Sequence, residues 1–380
     1  MTATDVPKLV LESRTIGRIT GKKAGPTLIA VAGIHGNEHG GVHAARRVLA
    51  LLGKDEAHLS GELVVFGGNL GGMRDGVRYH AKDMNRLWSE GRIVELEKNG
   101  PKDPEDHEQL ELLTAIREAM SRARGPVYLV DLHTTSASGV PFVIFGDTLP
   151  QRHFVADLPL PIILGLEEQV DGVLSEYWTR QGCITFTVEG GQHRDGGSVD
   201  NLEAVLLLAA QAAGIFQSGA YKETRTAHAL LEGRRGSLPR VMEVVSRHAI
   251  AEGDDFRMEP GFRNLDHARE GQLLARDKNG EVRAPKDGLV LLPLYQGLGS
   301  DGFFWGRAVG SGRLLASEAL RTLKLDRFLD WLPGVERKDS RRLEIDANVA
   351  ALYPMGVFQV LGYRRIRRDP HRVTIERQPE

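Results

Sequence analysis

The chain has 380 residues, enough for two domains and for a core that needs neither disulfides nor a structural metal. Its 49 Lys and Arg against 51 Asp and Glu leave a net charge of -2, which excludes the strongly basic face of a dedicated nucleic-acid binder. A single cysteine, Cys183, excludes an internal disulfide framework and any Cys-rich zinc or iron–sulfur centre.

The N-terminal stretch has no basic segment followed by an apolar one, as a secretory signal requires. The longest apolar run, 204–216, is interrupted by Gln211 and is too short to span a bilayer. A cytoplasmic protein without membrane or nucleic-acid partners is therefore expected, and a homo-oligomer is left open.

In chain order, residues 26–33 form an apolar run closed by glycine, followed by a glycine-rich turn and a helical pattern over 42–52. A second buried strand is predicted over 61–68. Leu110, Leu113, Ile116 and Met120, at three- and four-residue steps, predict an amphipathic helix over 106–123. Strands follow over 125–133 and 183–191, then a helix over 202–216 with Asp200 shortly before it as N-cap. Continuous apolar strands alternating with helices predict an α/β fold, its mixed, mostly parallel sheet covered on both faces.

Beyond about Ser218 the pattern changes to short β-type runs separated by turn signals, with one helix expected over 318–332. The chain thus divides into a catalytic unit, 1–217, and a smaller β-rich unit, 218–380. The boundary falls somewhere between 214 and 237. The tail 363–372 carries five arginines and reads as a solvated edge strand.

In an open parallel sheet, ligands bind outside the carboxyl ends of the strands. Three predicted strands end there in ionisable groups: His35 with Glu38 just beyond it, His133, and Glu189. The H-x-x-E spacing across a strand-to-helix turn lets His35 and Glu38 converge, and His133 completes two nitrogens and one carboxylate, the donor set of a catalytic zinc site. Glu189 is then left as general base for the attacking water. His39 and His43 stand as substitutes for one of the ligands. A phosphate-binding loop is disfavoured, because no G-K-[ST] is present and Glu38 would put negative charge where phosphate must sit. Asp131 either orients a ligand histidine or simply ends its strand. Cys183 reads as a small core residue, and Asn69 as a turn residue.

The motifs Ile34-His-Gly-Asn-Glu-His-Gly-Gly41, Asp83-Met-Asn-Arg86, Asp131-Leu-His133 and Val188-Glu-Gly190, in this order, resemble the succinylglutamate desuccinylase/aspartoacylase family of zinc carboxypeptidase-like amidohydrolases. The resemblance covers about residues 26–215. It implies a carboxypeptidase-like catalytic domain and a C-terminal β domain that partly covers the active site. It also implies one Zn2+ per chain on His35, Glu38 and His133, with Glu189 as general base and then acid. By the same resemblance Arg78 polarises the scissile carbonyl, and Asn85 and Arg86 receive a substrate carboxylate. Arg180 and Tyr295 are the nearest counterparts of two further substrate-binding residues. The chain departs from the family pattern in carrying Gly190-Gly-Gln-His193 where glycine-proline-glutamine is common. The expected activity is hydrolysis of an amide bond in a small, acidic N-acyl amino acid. A metallocarboxypeptidase acting on peptides and a catalytically silent metal-binding relative are the alternatives.

Overall fold

Alternation along one strand explains both faces of the central sheet. Leu28, Ala30 and Ala32 point into one layer and Ile29 and Val31 into the other, and all five are fully buried. They belong to β2 in the computed structural model, which describes residues 5–379 other than 351 and 354. The strands that build the site are β1 (Thr15–Thr20), β2 (Lys23–Ala32), β3 (Ser60–Gly67), β4 (Val127–Thr135), β5 (Phe142–Ile144), β6 (Ile162–Leu164), β7 (Ile184–Gln192) and β8 (Val241–Ala249). They run in the order β1-β3-β2-β4-β7-β5-β6-β8, and strands Asp301–Ala308, Gly288–Leu291 and Asp266–Ala268 extend the same sheet to eleven. β3, β2, β4 and β7 are mutually parallel, whereas β1 and β5 run against their neighbours β3 and β7.

Helices Gly40–Leu52, Gly196–Ala213 and Glu223–Arg235 pack on the face that carries Leu28. Helices Pro104–Arg122 and Leu174–Arg180 cover the other, where Ile116, Trp178 and Cys183 meet Ile29 and Leu129. Each fully buried Leu, Ile or Val of these layers contributes about 1.5–3 kcal/mol. Cys183 is buried and free, and burial pushes its thiol up to about 12, which suits a core residue and not a nucleophile.

The mixed α/β architecture with a mostly parallel sheet agrees with the sequence reading, and several local expectations need correction. The helix expected after Asp200 begins at Gly196, because Asp195 accepts the Gly197 N–H at 2.9 Å and caps it earlier. Asp200 lies inside that helix and pairs with Arg47 at 2.8 Å. The helix expected over 318–332 is two pieces, Ser311–Thr322 and Leu325–Trp331, broken where Lys324 takes a left-handed conformation with φ 52°.

The C-terminal region is not only a separate β unit. Four of its strands continue the main sheet, while Val335–Arg337, Arg342–Asp346, Arg372–Glu376 and Arg365–Arg368 form a four-stranded antiparallel sheet around their own apolar cluster. Arg365–Arg368 is an edge strand as expected, but it is not uniformly solvated. Arg364 is buried against Asp147, and Arg365 against Glu176 at 2.7 Å, which ties the small sheet to the main α/β body. No helix among the described residues is long and apolar enough to cross a membrane.

Candidate active site

β2 ends at Ala32, and the chain turns at Gly33 (φ 74°) before the helix starts at Gly40. Glu38 therefore lies in the turn. The Glu38 N–H donates to the His35 carbonyl at 3.1 Å, which folds the two side chains onto one another. Gly36 is required here: a Cβ would sit 2.1 Å from the Gly72 carbonyl carbon. The Gly36 N–H also donates to the Arg78 carbonyl at 3.0 Å, fastening the turn to the segment that carries Arg78.

Both histidines direct Nδ1 at the same carboxylate. His35 Nδ1 lies 2.7 Å from Glu38 Oε1, and His133 Nδ1 lies 3.2 Å from Glu38 Oε2. The three residues are buried, and one ligand atom from each lies within 4.8 Å of the others. The far nitrogens face separate carboxylates, His35 Nε2 to Asp83 at 3.1 Å and His133 Nε2 to Asp131 at 2.9 Å. That arrangement orients an imidazole so that its other nitrogen points into a metal site. Asp131 thus takes the orienting role and not merely the strand end. Two imidazoles and one carboxylate, each held from behind, fit zinc or a similar divalent ion. Without such an ion, burial disfavours charge on Glu38, but His35 and His133 outweigh it and hold the carboxyl well below its usual range. Burial likewise opposes charge on His133, and Asp131 and Glu38 outweigh it and raise its pKa well above the ordinary value.

Glu189 stands near the end of β7, directly across from His133 in the parallel pairing with β4. Burial pushes its carboxyl up to about 8, with Glu38 adding and His133 and Arg78 opposing. Its Oε2 is buried without a hydrogen-bond partner among the described residues. A carboxyl so placed is suited to hold and release a proton near neutral pH.

Arg78, Asn85 and Arg86 arrive on one segment. Asp83 caps the short turn Met84–Arg86 by accepting the Asn85 N–H at 2.9 Å, and it holds Arg78 Nη2 at 2.8 Å. Arg78 Nη1 lies 3.8 Å from Glu38. Glu105 accepts the backbone N–H groups of His80, Ala81 and Lys82, so this segment is fixed from below. Asn69 caps the next helix through Gly72 and donates to Glu105 at 3.2 Å, so it is a turn residue that also supports the site. Asn85 Oδ1 accepts the Leu174 N–H at 2.9 Å, leaving its Nδ2 facing His133 at 3.4 Å. Arg86 Nη2 meets Asp301 at 3.1 Å.

One cavity joins His35, Glu38, His133, Glu189 and Arg78 with Asn85 and Arg86. Arg180 and Tyr295 do not line it. The Arg180 guanidinium is drawn to Glu176, one helical turn earlier, at 3.0 Å. The Tyr295 hydroxyl donates to the Glu259 carbonyl at 2.8 Å and accepts from the Phe262 N–H at 3.0 Å, while its neighbours Leu294 and Gln296 form the cavity wall. His39 and His43 are also elsewhere: His39 Nδ1 accepts the Leu9 N–H, and His43 Nε2 meets the Pro7 carbonyl. The cavity adds His193, whose Nδ1 meets the Thr134 hydroxyl at 2.8 Å, and Asp301 from the far end of the sheet. His193 stood in a motif already noted; Asp301 carries no local signal beyond a turn.

The succinylglutamate desuccinylase/aspartoacylase catalytic domain matches residues 24–213, half of the 380-residue chain. Succinylglutamate desuccinylase from Chromobacterium violaceum is 30% identical over 185 residues, a match that takes in 46% of this chain and 54% of that one. The enzyme of the same name from Pseudomonas paraeruginosa is 27% identical over 266 residues, 67% of this chain and 75% of its own. The fold is shared with a crystal structure of succinylglutamate desuccinylase/aspartoacylase from Rhodobacter sphaeroides, at a TM-score of 0.55 and 16% identity, covering 77% of this chain and 88% of that one. With its four motifs set around one cavity, the chain belongs to the succinylglutamate desuccinylase/aspartoacylase family.

Proposed function

We propose that the protein hydrolyses the amide bond of a small N-acyl amino acid in a zinc-dependent reaction, with one ion per chain. The observation that carries this reading is the convergence of His35, Glu38 and His133, both histidines held from behind, beside a buried carboxyl at Glu189 with one oxygen that has no hydrogen-bond partner among the described residues. Zinc held by the three ligands would supply Lewis acidity toward water and the acyl carbonyl. Glu189 takes a proton from the attacking water and returns it to the amide nitrogen as the C–N bond breaks, leaving a carboxylate and a free amine. Arg78, charged and fixed by Asp83, donates to the acyl oxygen as negative charge develops there. Arg86, with Asn85 beside it, anchors a carboxylate of the substrate through its planar fork.

The names of the relatives support a deacylase over the peptidase alternative. So does the segment of Leu292, Pro293, Leu294 and Gln296 from the C-terminal region, which walls one side of the cavity. Glu189 speaks against a silent metal binder, which needs no proton carrier. The test is the zinc content of purified protein, with a screen of N-acyl amino acids, for the wild type and for a His35→Ala, His133→Ala double variant. About one zinc per chain and hydrolysis, both lost in the variant, are expected. A wild type that takes up no zinc on reconstitution would overturn the proposal.

A further inference from the structure

Away from the proposed metal, the cavity is poor in available positive charge. Among the described residues its wall holds five carboxyl groups, Glu38, Asp83, Glu167, Glu189 and Asp301, against two guanidinium groups, Arg78 and Arg86, and no lysine. Both arginines are already engaged. Arg78 is held by Asp83 at 2.8 Å. Arg86 gives Nη1 to the Asn85 carbonyl at 2.8 Å and Nη2 to Asp301 at 3.1 Å. Asp301 is itself firmly placed, with Arg247 on its other oxygen. Arg86 keeps further N–H donors for one incoming carboxylate, but a second would meet Asp301. Away from the ligands, the wall is Ile144, Leu166, Val170, Val173 and Phe304, with Glu167 as the one carboxyl on that side, held by the Ser175 hydroxyl at 2.5 Å. Arg180, which would have brought a third guanidinium, is spent on Glu176.

We infer that the substrate is an N-acyl amino acid with a single carboxylate, anchored at Arg86, and an uncharged, largely apolar remainder, and that Asp301 is the residue that turns away a second carboxylate. This rests on the deacylase reading and sharpens it. It separates this chain from relatives whose name denotes a substrate with several carboxylates. A second carboxylate brought against Asp301 suffers like-charge repulsion, and one set into the apolar wall beside the protonated Glu167 loses its hydration with no cation there to replace it.

The test is kcat/KM of the zinc-loaded protein on N-acetylleucine, N-acetylaspartate and N-succinylglutamate, which carry one, two and three carboxylates. The wild type is expected to prefer N-acetylleucine to N-succinylglutamate by about 100-fold or more. Asp301→Asn, which removes the negative charge held between Arg86 and Arg247, is expected to raise the ratio of N-acetylaspartate to N-acetylleucine by about tenfold. Should that variant fail to fold, the wild-type order still decides. A wild type faster on N-succinylglutamate would overturn the inference and leave the deacylase reading standing. A folded Asp301→Asn with an unchanged ratio would remove Asp301 from the role. Hydrolysis of none of the three, with zinc bound, would sink both.

Discussion

His133 and Glu189 are register partners on adjacent parallel strands, so the proposed metal ligand and the proposed proton carrier stand side by side at one sheet edge. β4 and β7 fix that spacing through their backbone ladder, and in the proposed mechanism Glu189 carries a proton and does not hold the metal. Glu189→Gln is therefore expected to retain its zinc while kcat falls by about 10²–10⁴. Zinc stoichiometry and turnover measured on the same preparation check this. Loss of zinc along with activity would instead make Glu189 a ligand.

Asp131 and Asp83 each hold the far nitrogen of one of the proposed ligand histidines, at 2.9 and 3.1 Å. Asp131→Asn is expected to weaken zinc binding by about 10–100-fold, read by competition with a chelator. Asp83→Asn should weaken it similarly and lower kcat further in the zinc-saturated protein. The difference arises because Asp83 also holds Arg78, through its second oxygen. Equal kcat in the two saturated variants would separate Arg78 from the chemistry.

Much of this arrangement was legible in the sequence because it is built from long, local signals. β2, β3, β4 and β7 are continuous apolar runs, and their ends carry His35, His133 and Glu189 where a parallel sheet opens to ligands. Other parts had no such signal. β5 and β6 are three residues each, too short to show a period. Arg180 sits close to the expected place in the chain, yet which way its guanidinium turns depends on Glu176, one helical turn away, and on the tail at Glu376. Asp301 reaches Arg86 across 215 residues of sequence, a contact set only when the C-terminal strands join the main sheet. Tertiary pairing, not local preference, decided each of these.

Asp147 is the buried junction between the catalytic body and the C-terminal sheet. It accepts from Arg152 at 2.7 Å and also meets Arg364, and both side chains of the Asp147–Arg364 pair are buried. Burial disfavours its charge, but Arg364 and Arg152 outweigh that and hold its carboxyl at about 2. Asp147→Ala leaves buried guanidinium groups uncompensated and is expected to destabilise the protein by about 3–5 kcal/mol, measured by denaturant unfolding. The sign with pH is that of a depressed acid: the stabilisation is present above the ordinary carboxylate range and is lost as pH falls toward 2. The wild type should lose stability in that window more steeply than Asp147→Ala.

Glu167 predicts the opposite slope. Burial pushes its carboxyl up from 4.5 to about 8, helped by repulsion from Glu168 and Glu176 and opposed by the Ser175 hydroxyl. The unfolded chain sheds this proton near 4.5 and the folded one only near 8, so stability is complete below 4.5 and drains away as pH rises through that interval. Glu167→Gln keeps an oxygen to accept from Ser175 and has no proton to lose. It is expected to match the wild type near pH 4.5 and to exceed it by about 2–4 kcal/mol near pH 8. Unfolding free energies of the two proteins across that range decide it: a constant difference would mean that Glu167 is ionised in the folded state throughout. That outcome would also place a fixed negative charge in the apolar wall of the cavity, strengthening the case that a second substrate carboxylate is refused there.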